Sequence, residues 1–104
     1  MKVSAAGLAL LALCLGGSAF ASEKIAIQAG CATCHAADRK VIGPSYREIA
    51  AKYKAQPNAS KLLAERVRKG GQGVWGPVPM APTPAEKLSD ADLKAVVAWL
   101  LKTP

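Results

Sequence analysis

Two thiols and an imidazole fall within five residues, Cys31-Ala32-Thr33-Cys34-His35. A Cys-x-x-Cys pair followed directly by histidine is the pattern through which a haem is attached covalently. Haem carries two vinyl groups on one edge. Two thiols one helical turn apart can each add to one of them, and the histidine next in line is then held beneath the iron as a proximal ligand. Other uses of the cluster fit less well. A structural zinc site wants four ligands, and beyond these three the chain offers only Cys14. Three N/S ligands could suit a catalytic zinc site, but packed into one turn they could hardly surround an ion. A thioredoxin-like pair expects strand–helix–strand surroundings, and no strand pattern lies nearby.

The sixth position of such an iron is decided by counting. His35 is the only histidine, and Met80 is the only methionine besides Met1. Within one chain the candidates are Met80, a lysine or an open site. Met80 stands in Gly70–Pro84, a stretch with four glycines and four prolines. That composition excludes a helix and predicts an irregular loop. Loops of this length are commonly functional or disordered, and Trp75 and Met80 argue for function. Prolines on both sides of Met80 stiffen its backbone. The loop lies far enough downstream to wrap over the ring, so Met80 is the favoured ligand. A soft thioether favours Fe(II) and raises the reduction potential. With both positions filled, the remaining chemistry is one-electron transfer. A peroxidase-like enzyme or a gas sensor would need an open site.

These residues need a frame. Met1-Lys2, a largely apolar run from Val3 to Leu15 and the closing Ala19-Phe20-Ala21 predict a secretory signal over 1–21, cut after Ala21. The run is too short to span a bilayer core of ~30 Å, so no transmembrane anchor is expected. Leu13 is too large for a lipoprotein site at Cys14. Residues 22–104 form one small domain, a size that usually needs a staple, here the haem. The formal net charge is +7, and loss of Lys2 leaves +6. That balance suits acidic partners. Nucleic acid is not expected, because no motif that reads it is present.

Four helices are predicted around the ring. The first starts at Ser22 as its cap, with Ala26, Ala29 and Gly30 on one small-residue face. Tyr46, Ile49, Ala50 and Tyr53 recur at helical spacing after Gly43-Pro44. A third helix runs from Ser60 to Lys69, burying Leu62, Leu63 and Val67. Its C-terminal cations suit the helix dipole. In the fourth, Ser89 is the cap and Leu88 a staple for Leu93. Leu93, Val96, Val97, Leu100 and Leu101 form the apolar stripe.

Three segments together, Cys31-Ala-Thr-Cys-His35, Gly43-Pro44-Ser-Tyr46 and Gly73-Val-Trp75-Gly-Pro-Val-Pro-Met80, resemble the small bacterial class I cytochromes c, close to the cytochrome c-551 group. The resemblance implies an all-α domain with one haem c. Cys31 and Cys34 would be the thioether sites, and His35 and Met80 the axial ligands. The Pro44 carbonyl would accept the proton of His35 Nδ1. Trp75 would donate its indole N–H to a haem propionate, with Arg47 nearby. It further implies a periplasmic electron shuttle serving nitrite reductase or a terminal oxidase. A monomer that docks an acidic redox partner is expected. One departure is visible: Ala81-Pro82 stands where many members have Pro-Pro.

Overall fold

A computed structural model of the chain describes residues 17–104. The expected signal segment lies largely outside the described residues. Four helices make the framework: α1 Gly17–Gln28, α2 Tyr46–Tyr53, α3 Ala59–Lys69 and α4 Asp90–Leu101. A 3-10 turn, Cys31–Thr33, follows α1, and a short hairpin, β1 Gly71–Gly73 with β2 Gly76–Met80, separates α3 from α4. The fold is thus mostly helical, as the sequence predicts.

Helix α4 is the hub and packs against each of the other three. Its start is set by Ser89, whose hydroxyl accepts the Asp92 N–H at 3.2 Å. Leu93, Val96, Val97 and Leu100 are buried along its inner face. Leu88, just before the cap, is 2% exposed and shares the core with Leu93. Burying a leucine to this degree stabilises the fold by about 2 kcal/mol.

Against α4 lies α1, through buried Ala26 and Ala29. One expectation for α1 is corrected, and one concerns the chain after cleavage. In the uncut chain α1 begins at Gly17 and runs on through Ala19–Ala21, so Ser22 is buried within the helix; a cap at Ser22 belongs to a chain cut after Ala21. Alanines there are good helix formers. Gly30 is not on the packed face. It ends the helix at φ 95°, a left-handed turn that glycine adopts readily, and its N–H bonds to the Ile27 carbonyl at 3.1 Å.

The Ser45-x-x-Glu48 spacing closes a capping box at the head of α2. Ser45 Oγ accepts the Glu48 N–H at 3.0 Å, and the Ser45 N–H donates to Glu48 Oε2 at 3.2 Å. Ser45→Ala is therefore expected to cost about 1 kcal/mol. Thermal unfolding should show Tm lower by about 4–8 °C. An unchanged Tm would show that α2 does not depend on the box.

On α3, Leu63 is buried and Val67 half-buried, but Leu62 is 41% exposed. Leu63 and Val67 pack into the core shared with α4 residues, and Leu62 lies ~100° round the helix from Leu63. The expected irregular loop also carries more order than predicted. Gly73 pairs with Gly76 across a two-residue turn, Val74-Trp75, and Gly71 pairs with Met80. The prolines of β2 are tolerated because the strand is an edge.

Candidate haem-binding site

The chain leaves α1 at Gly30 and turns at once through Cys31–Thr33, so both cysteines and His35 sit on one tight bend. The N–H groups of Cys34 and His35 both donate to the Cys31 carbonyl, at 3.2 and 3.0 Å. Both thiols are free and half-buried. Burial pushes the Cys31 thiol up, against an opposing backbone hydrogen bond, and the neighbouring Cys34 adds to the rise.

The His35 ring is fixed from three sides. Its Nδ1 lies 2.6 Å from the Pro44 carbonyl oxygen. A carbonyl can only accept, so Nδ1 carries the proton and the Nε2 lone pair is left for a metal. The ring stacks on Tyr46 at 5.8 Å, and Tyr46 in turn meets Trp99 edge-on at 5.2 Å. Burial, with Cys31 and Glu23 adding, pushes the Tyr46 phenol up to about 12, so it remains neutral behind the imidazole. Gly43 covers the third side. A Cβ there would stand 2.6 Å from His35 Cε1, so this close approach needs glycine. The Gly43 N–H also ties to the Cys34 carbonyl at 2.8 Å, which closes the loop on itself.

Met80 ends β2, half-buried. Its position is held from before and after. Downstream, the Thr83 N–H donates to the Val67 carbonyl at 2.8 Å, and Arg68 Nη1 donates to the Thr83 carbonyl at 3.2 Å. Arg68 Nη2 also pairs with Asp90 at 2.7 Å, linking this strap to the start of α4. Sequence reasoning treats Arg68 only as a helix-end cation, and nothing in the local pattern signals its strap role. Upstream, Gly70 adopts φ 67°, ψ −157°, a region open essentially to glycine alone. A Cβ at Gly70 would collide with the Met80 carbonyl and lie 2.9 Å from Pro82 N. Gly70→Ala is expected to destabilise the protein by about 2–4 kcal/mol, from backbone strain plus the forced shift of the Met80 segment. Denaturant unfolding read against Gly73→Ala, whose Cβ meets nothing within 4 Å, separates strain from collision. Equal losses in the two variants would remove the collision from the account.

Cys31, Cys34, His35, Pro44, Trp75 and Met80 all line one cleft of about 680 Å³. Arg47 does not. It follows Tyr46 on α2, a turn of ~100° away from the cleft, and its Nε donates to the Pro104 carbonyl at 3.0 Å. The cations that do line the cleft are Arg66, Lys40 and Lys87. Sequence reasoning misses Arg66 as a cleft residue, although it precedes the Trp75 loop on the same helix end. Its Nη1 donates to the Gly70 carbonyl at 3.1 Å. Among the described residues no group of three or more His, Cys, Asp and Glu side chains could hold a bare metal ion. The donor set suits a metal carried in a ring: two thiols at one edge, one imidazole with a free lone pair, one thioether, and apolar walls. Trp75 and Arg66 also line the cleft and carry N–H groups.

The fold and cleft define a small class I c-type cytochrome. The sequence profile of the Cytochrome c family matches residues 21–104, and the chain belongs to that family. It is 58% identical over 81 residues to cytochrome c2 of Rubrivivax gelatinosus, covering 78% of this chain and 95% of that one. Identity to cytochrome c-552 of Hydrogenobacter thermophilus is 42%, over 84% of this chain and 86% of the relative. The crystal structure of Nitrosomonas europaea cytochrome c552 superposes with a TM-score of 0.73 at 39% identity, covering 79% of this chain and 99% of that one. As in its family, the cofactor is a covalently attached c-type haem and the protein is an electron carrier rather than an enzyme. No helix among the described residues is long and apolar enough to cross a membrane.

Proposed function

We propose that the haem iron is held between His35 Nε2 and Met80 Sδ, that Cys31 and Cys34 form the two thioethers, and that the protein carries single electrons in the periplasm as a monomer. The carrying observation is the His35 Nδ1 to Pro44 carbonyl hydrogen bond of 2.6 Å. It fixes the tautomer and aims the other nitrogen away from the loop, into a cleft that Met80 also lines. The haem supplies the Fe(III)/Fe(II) couple. The chain's own residues hold its axial ligands in both states, so little reorganises when an electron moves. Trp75 and Arg66, which both line the cleft, would meet the propionates, the part first expected of Trp75 and Arg47. Residues 1–21 would be the export signal, cut after Ala21. The acceptor would be a respiratory reductase, such as nitrite reductase, or a terminal oxidase.

The test is the oxidised and reduced absorption spectrum of the exported protein, with a pyridine haemochrome assay. Expected are two thioether bonds, a low-spin iron and the weak sulfur-to-iron band of the oxidised form. A high-spin spectrum, or rapid cyanide binding, would favour an open site instead.

A basic carrier steered to acidic partners also has a kinetic signature. The Debye length shrinks from ~30 Å at 0.01 M to ~8 Å at 0.15 M salt. Electron-transfer rates to an acidic acceptor are expected to fall about tenfold across that range. Stopped-flow rates that ignore salt would remove steering and leave the haem assignment intact.

A further inference from the structure

The net charge of residues 22–104 is not spread over the surface. Residues 47–69, spanning α2 and α3, hold seven basic and two acidic side chains. The rest of 22–104 holds six basic and five acidic ones. Five of the six net positive charges therefore fall within residues 47–69, one of them, Arg68, paired with Asp90. On the α2–α3 side lies a second concavity, a groove of about 470 Å³ bordered by Lys52, Arg66 and Lys69. Its apolar lining includes Leu62 and Val74, which are 41% and 45% exposed. Tyr53, Arg66 and Val74 line both this groove and the haem cleft, so only one layer of side chains separates the two. Away from the groove, the cleft is also lined by the exposed Ile42 and Val78, with Lys40 and Lys87 as further cations.

We propose that the α2–α3 groove is the face on which an acidic protein partner docks. A carboxylate-bearing segment lies between Lys52 and Lys69 with an apolar side chain on Leu62 and Val74, next to the cofactor. The proposal rests on the acidic-partner reading above and says where that partner binds. Charge complementarity selects an acidic occupant. One feature favours a protein over a phosphate polymer, although Glu65 also lines the groove. The half-exposed Leu62 and Val74 want apolar side chains, which a partner protein supplies at the centre of an interface.

The test uses the haem-loaded protein and poly-L-glutamate at low salt, followed by amide NMR shifts and affinity. The groove variant is Leu62→Glu/Lys69→Glu. Its matched control is Lys24→Glu/Ile27→Glu on α1, which makes the same charge change at exposed sites. The groove variant is expected to weaken binding about tenfold or more and the control about twofold or less. Shifts should cluster on Leu62, Lys69 and Val74. Equal weakening by both variants, or shifts centred on Ile42 and Val78, would overturn the location. Absence of any poly-L-glutamate binding by the unsubstituted protein would instead overturn the acidic-partner reading itself. Tighter binding to phosphatidylglycerol vesicles than to poly-L-glutamate, lost in the groove variant alone, would assign the groove to a lipid surface and overturn the protein partner.

Discussion

Met80→Ala is expected to lower the reduction potential by on the order of 0.1–0.2 V and to open the sixth coordination position. Haem axial ligands set potentials over a span of ~0.8 V, and a soft thioether stabilises Fe(II) over Fe(III). For a one-electron couple ~59 mV is a tenfold change in relative affinity. The expected drop therefore states that the sulfur prefers Fe(II) by roughly two to three powers of ten more than its replacement does. No second imidazole can take over, because His35 is the only histidine. Water, Lys40 or Lys87 can, since both lysines line the cleft. Each is a harder ligand, so each moves the potential the same way. The fold should survive, because the strap from Arg68 to Thr83 and Asp90 does not use the Met80 side chain. Potentiometric titration and cyanide binding read the outcome. A potential within ~30 mV of the unsubstituted protein, with the spectrum unchanged, would mean that Met80 is not the ligand.

Much of this arrangement is legible in the amino-acid order, for identifiable reasons. The Cys31–His35 cluster is local in sequence and in space, so spacing alone reveals it. Helix α4 shows its cap, staple and stripe within fifteen residues, and each behaves as its residue type predicts. What stays hidden depends on through-space partners. Arg47 and Arg66 are equally basic and both helical in sequence; only the packing of α2 and α3 against α4 decides that Arg66 lines the cleft. Leu62 and Leu63 are adjacent leucines, and which one is buried depends on where α4 crosses. The Gly70–Pro84 stretch announces irregularity through its glycines and prolines. The same glycines permit the positive φ values at Gly73 and Gly76 that close a hairpin. Breaker residues therefore report the end of the helix correctly and conceal the strands.

Replacing both proposed attachment residues, Cys31→Ala/Cys34→Ala, is expected to yield a chain with no bound haem after acid extraction and no cooperative thermal transition. The reason is size. Residues 22–104 surround a cleft of about 680 Å³. Empty cavity in a core costs about 24 cal/mol per Å³, which would amount to about 16 kcal/mol for a sealed void of this volume. The cleft is open to water, which fills part of it and lowers the penalty. A third of that figure still matches the whole stability of a marginal domain, about 5 kcal/mol. Without the ring, the half-buried Tyr53, Val67 and Trp99 also lack a surface to pack against. Binding free energy and folding free energy are therefore coupled here, as for a metal that organises a small domain. The single variant Cys31→Ala keeps the Cys34 thiol for attachment, and His35. It should fold with a lower Tm, because the ring remains tethered at high effective concentration. Mass spectrometry reads the attached ring, and circular dichroism reads the transition. A sharp melt from the double variant free of haem would show that the four helices hold the cleft open unaided.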